Sequence, residues 1–375
     1  MSNVAVTFME KLQSQDYAAV TAMLSPETQQ AFAVTPIHAI LIGRHGDILD
    51  FTVLDTVEAE GLHFTTVSAT HSKGDAVHNI IVDANGHVLG AQTVSFAFNP
   101  MMPPANANHT AEAVTLNADT IWATSGLLTM PHDASADNPV PALLLVAGSG
   151  ANSMDSSLFD NRPFFDIANY LSDNGIAVLR YNERAHTHPM QFAQLIGANV
   201  TMQDEYIYDA LSAIEILQAD DRISQIFVLG LSMGGFVAPH IAEIAGLDGV
   251  IIMNSSPIPM HELWYNQNIQ GVKDQVAAGT ISEADGEAAL ANWAVRLEEA
   301  ERLLQLPVSQ LEDVLIFDAL PALYVRSIAE VAALPIIARN TDTPVFIVHG
   351  ERDFQTTAAV DFQAFLGNAI LDNEV

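Results

Sequence analysis

The sequence predicts an α/β protein, in which a doubly wound, mostly parallel sheet carries a helical cap and follows a small α+β domain. From Val114 onward, short apolar runs alternate with amphipathic helical patterns, as expected of strands that helices bury on both faces. In the first hundred residues, helical patterns come first and four strand-like runs follow, which indicates a separate antiparallel layer. We therefore expect the small domain in 1–98, a linker in 99–112 and the larger domain in 113–375, with the cap at about 256–334.

The small domain is predicted from helical spacing and from turn signals. Val4, Phe8 and Leu12 recur at the spacing of one helix face, and Asn85-Gly86 is a strong hairpin signal. The four predicted strands are 48–57, 62–69, 76–82 and 88–95. Histidines are frequent here but follow no recognised metal-ligand spacing. We expect ordinary strand and loop positions for them: His38, His45, His63, His71, His78 and His87.

The linker is predicted from its composition. Asn99–Asn108 contains prolines at 100, 103 and 104, which disfavour regular backbone pairing, and small residues that need no core. A segment of this kind is typical of a connection between two domains.

Composition excludes several classes of function. The 375 residues contain no cysteine, so there is no disulfide framework, thiolate metal site or cysteine nucleophile. The 45 acidic and 13 basic residues give a formal net charge of −32, which repels nucleic acid and anionic membranes. The first residues lack the pattern of a signal peptide, and no apolar run is long enough to span a bilayer. We expect a soluble, cytoplasmic protein without nucleic-acid or membrane partners. The sequence does not decide between a monomer and a homo-oligomer.

One motif carries most of the functional information. An apolar strand-like run, Gln225–Leu229, leads into Gly230-Leu231-Ser232-Met233-Gly234-Gly235, and a helical pattern follows at once. A serine at a sharp turn between a strand and a helix is the usual setting of a hydrolase nucleophile. The alternative is a strand-to-helix loop with chance glycines. We favour the first interpretation and predict Ser232 as the nucleophile.

A second apolar strand supplies a candidate acid. Pro344–Val348 is followed by His349-Gly350-Glu351-Arg352-Asp353, which places Asp353 in the loop after the strand. A carboxylate in that position can orient an imidazole. The alternative is an ordinary surface aspartate.

Residues from about 115 to the end resemble an α/β-hydrolase of the serine aminopeptidase S33-like (hydrolase 4) group. The resemblance rests on four motifs in the expected order, 145–150, 175–181, 230–235 and 350–353. It implies Ser232 as nucleophile, Asp353 as acid, and the backbone N–H groups of Ser149 and Met233 as the oxyanion hole, without metal or organic cofactor. The layout of the first domain resembles the nuclear-transport-factor-2-like domain that precedes the hydrolase domain in some bacterial esterases.

The sequence departs from the family pattern in two places. Ala151 and Met154 stand where the family usually has proline and arginine. More important, residues 354–375 contain no histidine, although the family's catalytic histidine follows the acid after one more strand. We expect either a fragment or frameshifted product, lacking the last strand and histidine loop, or a hydrolase that has lost its general base. The remaining candidates are weak substitutes: His186, His188, His240, His261 and His349.

These features predict a serine hydrolase that acts on small carboxylic esters through an acyl-serine intermediate on Ser232. The absent histidine predicts weak or no activity in this chain. The alternatives are a serine peptidase and a non-catalytic protein that uses the hydrolase fold as a binding platform.

Overall fold

The computed structural model describes residues 2–59, 61–158, 161–195, 199–340 and 342–369. The chain divides into two units. The first comprises 1–101 together with 157–161 and 185–191, and the second comprises 102–156, 162–184 and 192–375.

The first unit begins with short helices whose starts are set by capping side chains. The Asp16 carboxylate accepts the Ala19 N–H, and the Ser25 hydroxyl accepts the Thr28 N–H, which satisfies donors that a helix N-terminus leaves open. The helices are α1 (Ser2–Gln13), α2 (Tyr17–Ala22), α3 (Pro26–Ala31) and α4 (Ile37–His45).

An antiparallel sheet completes the first unit. Its strands pair in chain order: β1 (Ile48–Ala59), β2 (Leu62–His71), β3 (Gly74–Val82) and β4 (Val88–Phe98). Burial alternates along β3, where Ile80 and Val82 point into a core that also contains Phe8 and Leu12 of α1. The small α+β domain expected from the sequence is thus present.

Three histidines lie together inside this unit. The rings of His45, His71 and His78 are buried, with centroids 5.1–5.4 Å apart. His71 Nδ1–H donates to the Gly46 carbonyl, so His71 Nε2 accepts from His78 Nε2–H at 2.9 Å. Burial, and then the nearby His45 and His71, lower the pKa of His78 to about 3. In the described part of the chain, no group of three or more His, Cys, Asp or Glu side chains is arranged to hold a metal ion.

The second unit is organised on a mostly parallel sheet. In the described residues its strand order is β13-β10-β9-β7-β8-β6-β5, and β6 alone among these strands runs antiparallel to the others, pairing with β5 on one side and β8 on the other. The strands are β5 (His109–Leu116), β6 (Thr124–Pro131), β7 (Val140–Val146), β8 (Ala177–Tyr181), β9 (Ile223–Leu231), β10 (Gly249–Met253) and β13 (Val345–Val348). β5 begins at His109, so strand pairing reaches into the segment predicted as a linker.

Helices cover both faces of this sheet, which confirms the doubly wound fold class. The helices of this unit up to β10 are α5 (Pro163–Asp173), α8 (Tyr208–Gln218), which a π-helical turn (Gln203–Ile207) precedes, and α9 (Met233–Ala245). Two short helices, α6 (Arg184–Thr187) and α7 (Pro189–Leu195), come between α5 and α8 in the chain and include 185–191, which belongs to the first unit. Phe164 of α5 packs with Leu143 and Leu145 on one face, whereas Val237 of α9 packs with Leu144 on the other. Alternate residues of β7 therefore serve two separate cores.

A mainly helical segment follows β10. It contains α10 (Met260–Ala277), α11 (Glu283–Leu304), a 3₁₀ turn (Val308–Gln310), the two-residue strands β11 (Leu315–Ile316) and β12 (Leu320–Pro321), α12 (Ala322–Glu330) and α13 (Ala333–Arg339). Leu304, Ile316 and Val325 belong to a core of its own. The sequence indicated only helices here, because strands of two residues are too short to produce a pattern.

After β13 come a π-helical turn (Ala358–Phe362) and α14 (Gln363–Ala369). Within the described residues, no helix has the length and apolar character needed to cross a membrane.

Candidate active site

Ser232 occupies a strained turn between β9 and α9. Its backbone has φ 54° and ψ −116°, a region that residues with a side chain rarely adopt. The Ser232 N–H donates to the Met253 carbonyl at 2.9 Å, and the Ser232 carbonyl accepts the Gly235 N–H at 2.8 Å. The turn is thereby fixed on both sides, and the side chain stands at the carboxyl end of the strand.

Two glycines make this turn sterically accessible. A Cβ atom on Gly230 would overlap the Gly234 carbonyl, and one on Gly234 would overlap the carbonyls of Val146 and Ala147. The backbone of α9 can therefore lie directly against the end of β7 only because both positions lack a side chain.

The loop 148–152, here called the oxyanion loop, follows β7 and lies beside Ser232. A Cβ atom on Gly148 would be 3.2 Å from Ser232 Cβ. Two N–H groups are candidates for binding a negatively charged oxygen. Met233 is the first residue of α9, and first-turn N–H groups have no acceptor inside their helix. Among the described residues, the N–H of Ser149 has no backbone acceptor either.

Asp353 lies in the loop after β13 and is held by four hydrogen bonds. Asn254 Nδ2 donates to Asp353 Oδ2 at 2.7 Å, and the Thr356 hydroxyl donates to the same oxygen at 3.1 Å. The N–H groups of Gln355 and Thr356 donate to Oδ1 at 2.9 and 3.1 Å. Partial burial raises the pKa of Asp353, but these bonds outweigh burial, and the pKa lies below its usual value.

Ser232 and Asp353 are connected through the end of β10. Met253 accepts the hydrogen bond of Ser232 N–H, and the next residue, Asn254, donates to Asp353. Among the described residues, no hydrogen bond joins Ser232 to Asp353 directly. The assignment of Ser232, Asp353, Ser149 and Met233 as one catalytic site therefore stays a prediction.

The histidines are distributed over different parts of the fold. In the described part of the chain, none forms a hydrogen bond with the Ser232 hydroxyl. His349 Nε2 donates to the Thr356 carbonyl at 2.6 Å, which ties it to the Asp353 loop. His240 lies along α9 near Glu243, and its pKa is lowered, chiefly by burial. His261 lines a cavity of about 290 Å³ beside α12. His186 and His188 belong to the first unit.

Sequence reasoning missed several polar residues around the two predicted catalytic side chains. Asn254 and Thr356 hold Asp353, and Glu183 and Glu205 lie against the oxyanion loop. Asn254 is the first residue after β10 and Glu183 the second after β8, at the carboxyl ends of parallel strands, where such folds place functional residues, so their position was a usable signal.

Comparison with known proteins identifies the family. The family described as serine aminopeptidase, S33, matches residues 162–369, more than half of the chain. The chain belongs to this family of hydrolases. Its S33 portion includes Ser232, Asp353 and the segment between them, and it begins at the start of α5.

The individual proteins that the chain resembles share low sequence identity with it. Esterase EstD of Thermotoga maritima is 26% identical over 362 residues, which cover 94% of this chain and 80% of EstD. A structure described as a dipeptidyl aminopeptidase IV of Bacteroides ovatus is 13% identical with a TM-score of 0.45, over 85% of this chain. This chain spans only 38% of the length of that protein. Brefeldin A esterase, described as bacterial, is 18% identical with a TM-score of 0.36, over 74% of this chain and 77% of the esterase.

Proposed function

We propose that this S33 hydrolase cleaves small carboxylic esters through an acyl-serine intermediate on Ser232. The observation that carries the proposal is the backbone of Ser232, which has positive φ at the junction of β9 and α9 beside the oxyanion loop. The similarity to an esterase over 94% of the chain supports an ester as substrate.

The proposed reaction has two steps. Ser232 Oγ attacks the ester carbonyl, and the N–H groups of Ser149 and Met233 donate to the oxygen as it becomes negative. The C–O bond to the alcohol breaks, the alcohol leaves with a proton, and the acyl group stays on Ser232. Water then attacks the acyl-serine, which releases the carboxylic acid and restores the hydroxyl.

In the proposed reaction we expect removal of the serine proton to limit the rate. No described histidine is hydrogen-bonded to Ser232, so in the proposed reaction a water molecule accepts the proton from Ser232 Oγ and solvent returns a proton to the leaving alcohol. Removal of one member of a catalytic triad leaves about 10³–10⁴-fold acceleration over water, which comes from the oxyanion hole and substrate binding. We expect slow turnover of activated esters such as p-nitrophenyl acetate.

The experiment is active-site labelling with a fluorophosphonate, followed by peptide mapping. We expect labelling on Ser232, loss of labelling and turnover in Ser232→Ala, and no change in Ser224→Ala. Ser224 is a matched control, because it lies exposed on the same strand, far from the turn. Turnover that is unchanged in Ser232→Ala would refute the proposal. A folded chain that neither labels nor turns over would favour the non-catalytic alternative.

The runner-up is an aminopeptidase, which the family description favours. The two functions separate by substrate: p-nitrophenyl esters against p-nitroanilides of single amino acids, with and without an acetylated amino group. Preference for the free amino group would move the assignment to a peptidase. The same Ser232→Ala variant serves as control.

A further inference from the structure

The carbonyl groups of the oxyanion loop are held by amide and hydroxyl donors. The Tyr206 hydroxyl donates to the Gly148 carbonyl at 3.0 Å. The side-chain amide of Asn152 donates to the carbonyls of Gly148 and Gly150, each at 2.9 Å. The loop is therefore folded around its own Asn152 and anchored to the buried Tyr206.

The N–H groups of the loop face two carboxyl groups. Asn152 N–H donates to Glu183 Oε2 at 2.6 Å. Gly150 N–H faces the carboxyl of Glu205, which also lies against the hydroxyls of Tyr206 and Tyr324. In the described residues, this leaves Ser149 N–H as a loop donor without a backbone acceptor, between two neighbours that are held in place.

Glu183 is an unusual residue to find in this position. It follows β8, is only 2% exposed, and its Oε1 has no hydrogen-bond partner among the described residues. The adjacent Arg184 does not neutralise it, because Arg184 pairs with Asp209 at 2.7–2.9 Å through its guanidinium and its N–H. A buried carboxyl without a cation is costly as an anion, so this position favours the neutral form of Glu183.

We propose that Glu183 and Glu205 are positioning residues for the reaction at Ser232, holding the oxyanion loop so that Ser149 N–H is directed to the developing oxyanion. This inference rests on the proposed function and adds to it two residues that do not touch the substrate. Their contribution acts through the backbone of Gly150 and Asn152.

The surroundings of both carboxyls favour their neutral forms. Burial, first, and then the negative charges of Glu205 and Asp209 raise the pKa of Glu183 well above its usual value. Burial likewise raises the pKa of Glu205, against hydrogen bonds that lower it. The ionisable groups that face the pair from the neighbouring elements are Tyr181, Arg184, Tyr206, Asp209 and Tyr324.

The direction of the pH effect follows from these raised values. At low pH both carboxyls are neutral, and the loop is held as described. As pH rises through their pKa values, negative charge appears on two buried neighbours, which repel each other and displace the loop. In Glu183→Gln the amide oxygen still accepts the Asn152 N–H, but the ionisation at this position is gone.

The test compares Glu183→Gln, Glu183→Ala and Glu205→Gln in the full chain, with Glu215→Gln as an exposed glutamate control on α8. Each is assayed with p-nitrophenyl acetate across pH, alongside its melting temperature. We expect Glu183→Ala to lower kcat about tenfold with KM within twofold, since loss of a whole oxyanion donor costs about 10²–10³ in kcat. We expect Glu183→Gln to keep kcat at low pH and to exceed the wild type increasingly as pH rises.

Two results would overturn the inference. One is a Glu183→Ala variant that melts like the wild type and keeps its kcat. The other is a ratio of Glu183→Gln to wild-type kcat that stays constant with pH. Failure of the proposed function gives a different result, because the wild type itself would then show no labelling of Ser232. If Glu183→Ala does not fold, the pH dependence of kcat in Glu183→Gln decides whether the inference holds.

Discussion

The side-chain amide of Asn254 donates to Asp353 Oδ2 at 2.7 Å, and this bond joins the loops that follow β10 and β13. With two donors from Thr356 and one from Gln355, each oxygen of the carboxylate accepts two hydrogen bonds. An imidazole can use this carboxylate only if one of these donors moves aside. In the present structure Asp353 therefore fastens two loops together.

The first prediction concerns stability. Asp353→Ala leaves the donors of Asn254 and Thr356 without their acceptor, and we expect a loss of about 1.5–3 kcal/mol in the free energy of unfolding, as for hydrogen bonds to charged groups. Denaturant titration at pH 7 measures it. Glu351→Ala is the matched control, since Glu351 is exposed on the same loop. Equal midpoints for the two variants would show that the carboxylate does not fasten the loops.

The lowered pKa of Asp353 gives this prediction a pH dependence. The contribution of the Asp353 carboxylate to the free energy of unfolding is fully present above the ordinary aspartate pKa. It is lost as pH falls through the lower pKa that Asp353 has in the folded state. The difference between wild type and Asp353→Ala should therefore shrink only in strong acid.

The second prediction concerns a general base supplied from solution. Added imidazole should accelerate hydrolysis of p-nitrophenyl acetate by taking the Ser232 proton from solution. The enzyme-dependent rate should rise with the concentration of neutral imidazole and saturate as binding near Ser232 saturates. Ser232→Ala measures the background reaction of imidazole with the ester. Equal acceleration in wild type and Ser232→Ala would exclude general-base rescue at this serine.

Much of the fold is predictable because its signals are local. The buried strands are continuous apolar runs, which can be seen directly in the sequence. The turn at Ser232 requires glycine at 230 and 234, because a Cβ atom at either position would overlap the backbone, and both glycines lie within four residues of Ser232. The strands of the first unit were predicted with starts within two residues, since turn dipeptides such as Asn85-Gly86 lie between them.

The contacts around the candidate site are not local. Asn254 meets Asp353 across 99 positions of sequence, and Asn152 meets Glu183 across 31. The periodic patterns of apolar residues that predict helices and strands contain no information on such long-range pairs. Glu183 is a further case, because a charged residue type suggests exposure, and only the assembled fold shows that it is buried.

The third prediction concerns acid sensitivity of the first unit. His78 is neutral in the fold, with a pKa of about 3, whereas the unfolded chain binds a proton near pH 6.5. Stability should fall as pH decreases below 6.5, by about 2 kcal/mol at pH 5 from this residue. Unfolding of His78→Gln should lack that part of the pH dependence, whereas the exposed His132→Gln should retain it. Parallel pH profiles for His78→Gln and wild type would contradict the prediction.

The fourth prediction concerns the distance between the oxyanion loop and Ser232. In Gly148→Ala the new Cβ would lie 3.2 Å from Ser232 Cβ and 3.4 Å from the Leu231 carbonyl, so either the loop or the serine must shift by a few tenths of an ångström. Small misplacements at a reacting centre cost far more in rate than in stability, up to about 10²-fold for 1 Å. We expect kcat for p-nitrophenyl acetate to fall about tenfold, while the melting temperature changes little.

The matched control for this variant is Gly271→Ala. Gly271 lies in α10 with no atom within 4 Å of its would-be Cβ, so the added methyl meets open space and replaces a poor helix former. We expect this control to raise the melting temperature slightly and to leave kcat unchanged. If Gly148→Ala retains wild-type kcat while Gly271→Ala behaves as expected, Ser149 N–H does not act on the bound ester, since a shift of the loop at Gly148 moves that donor first.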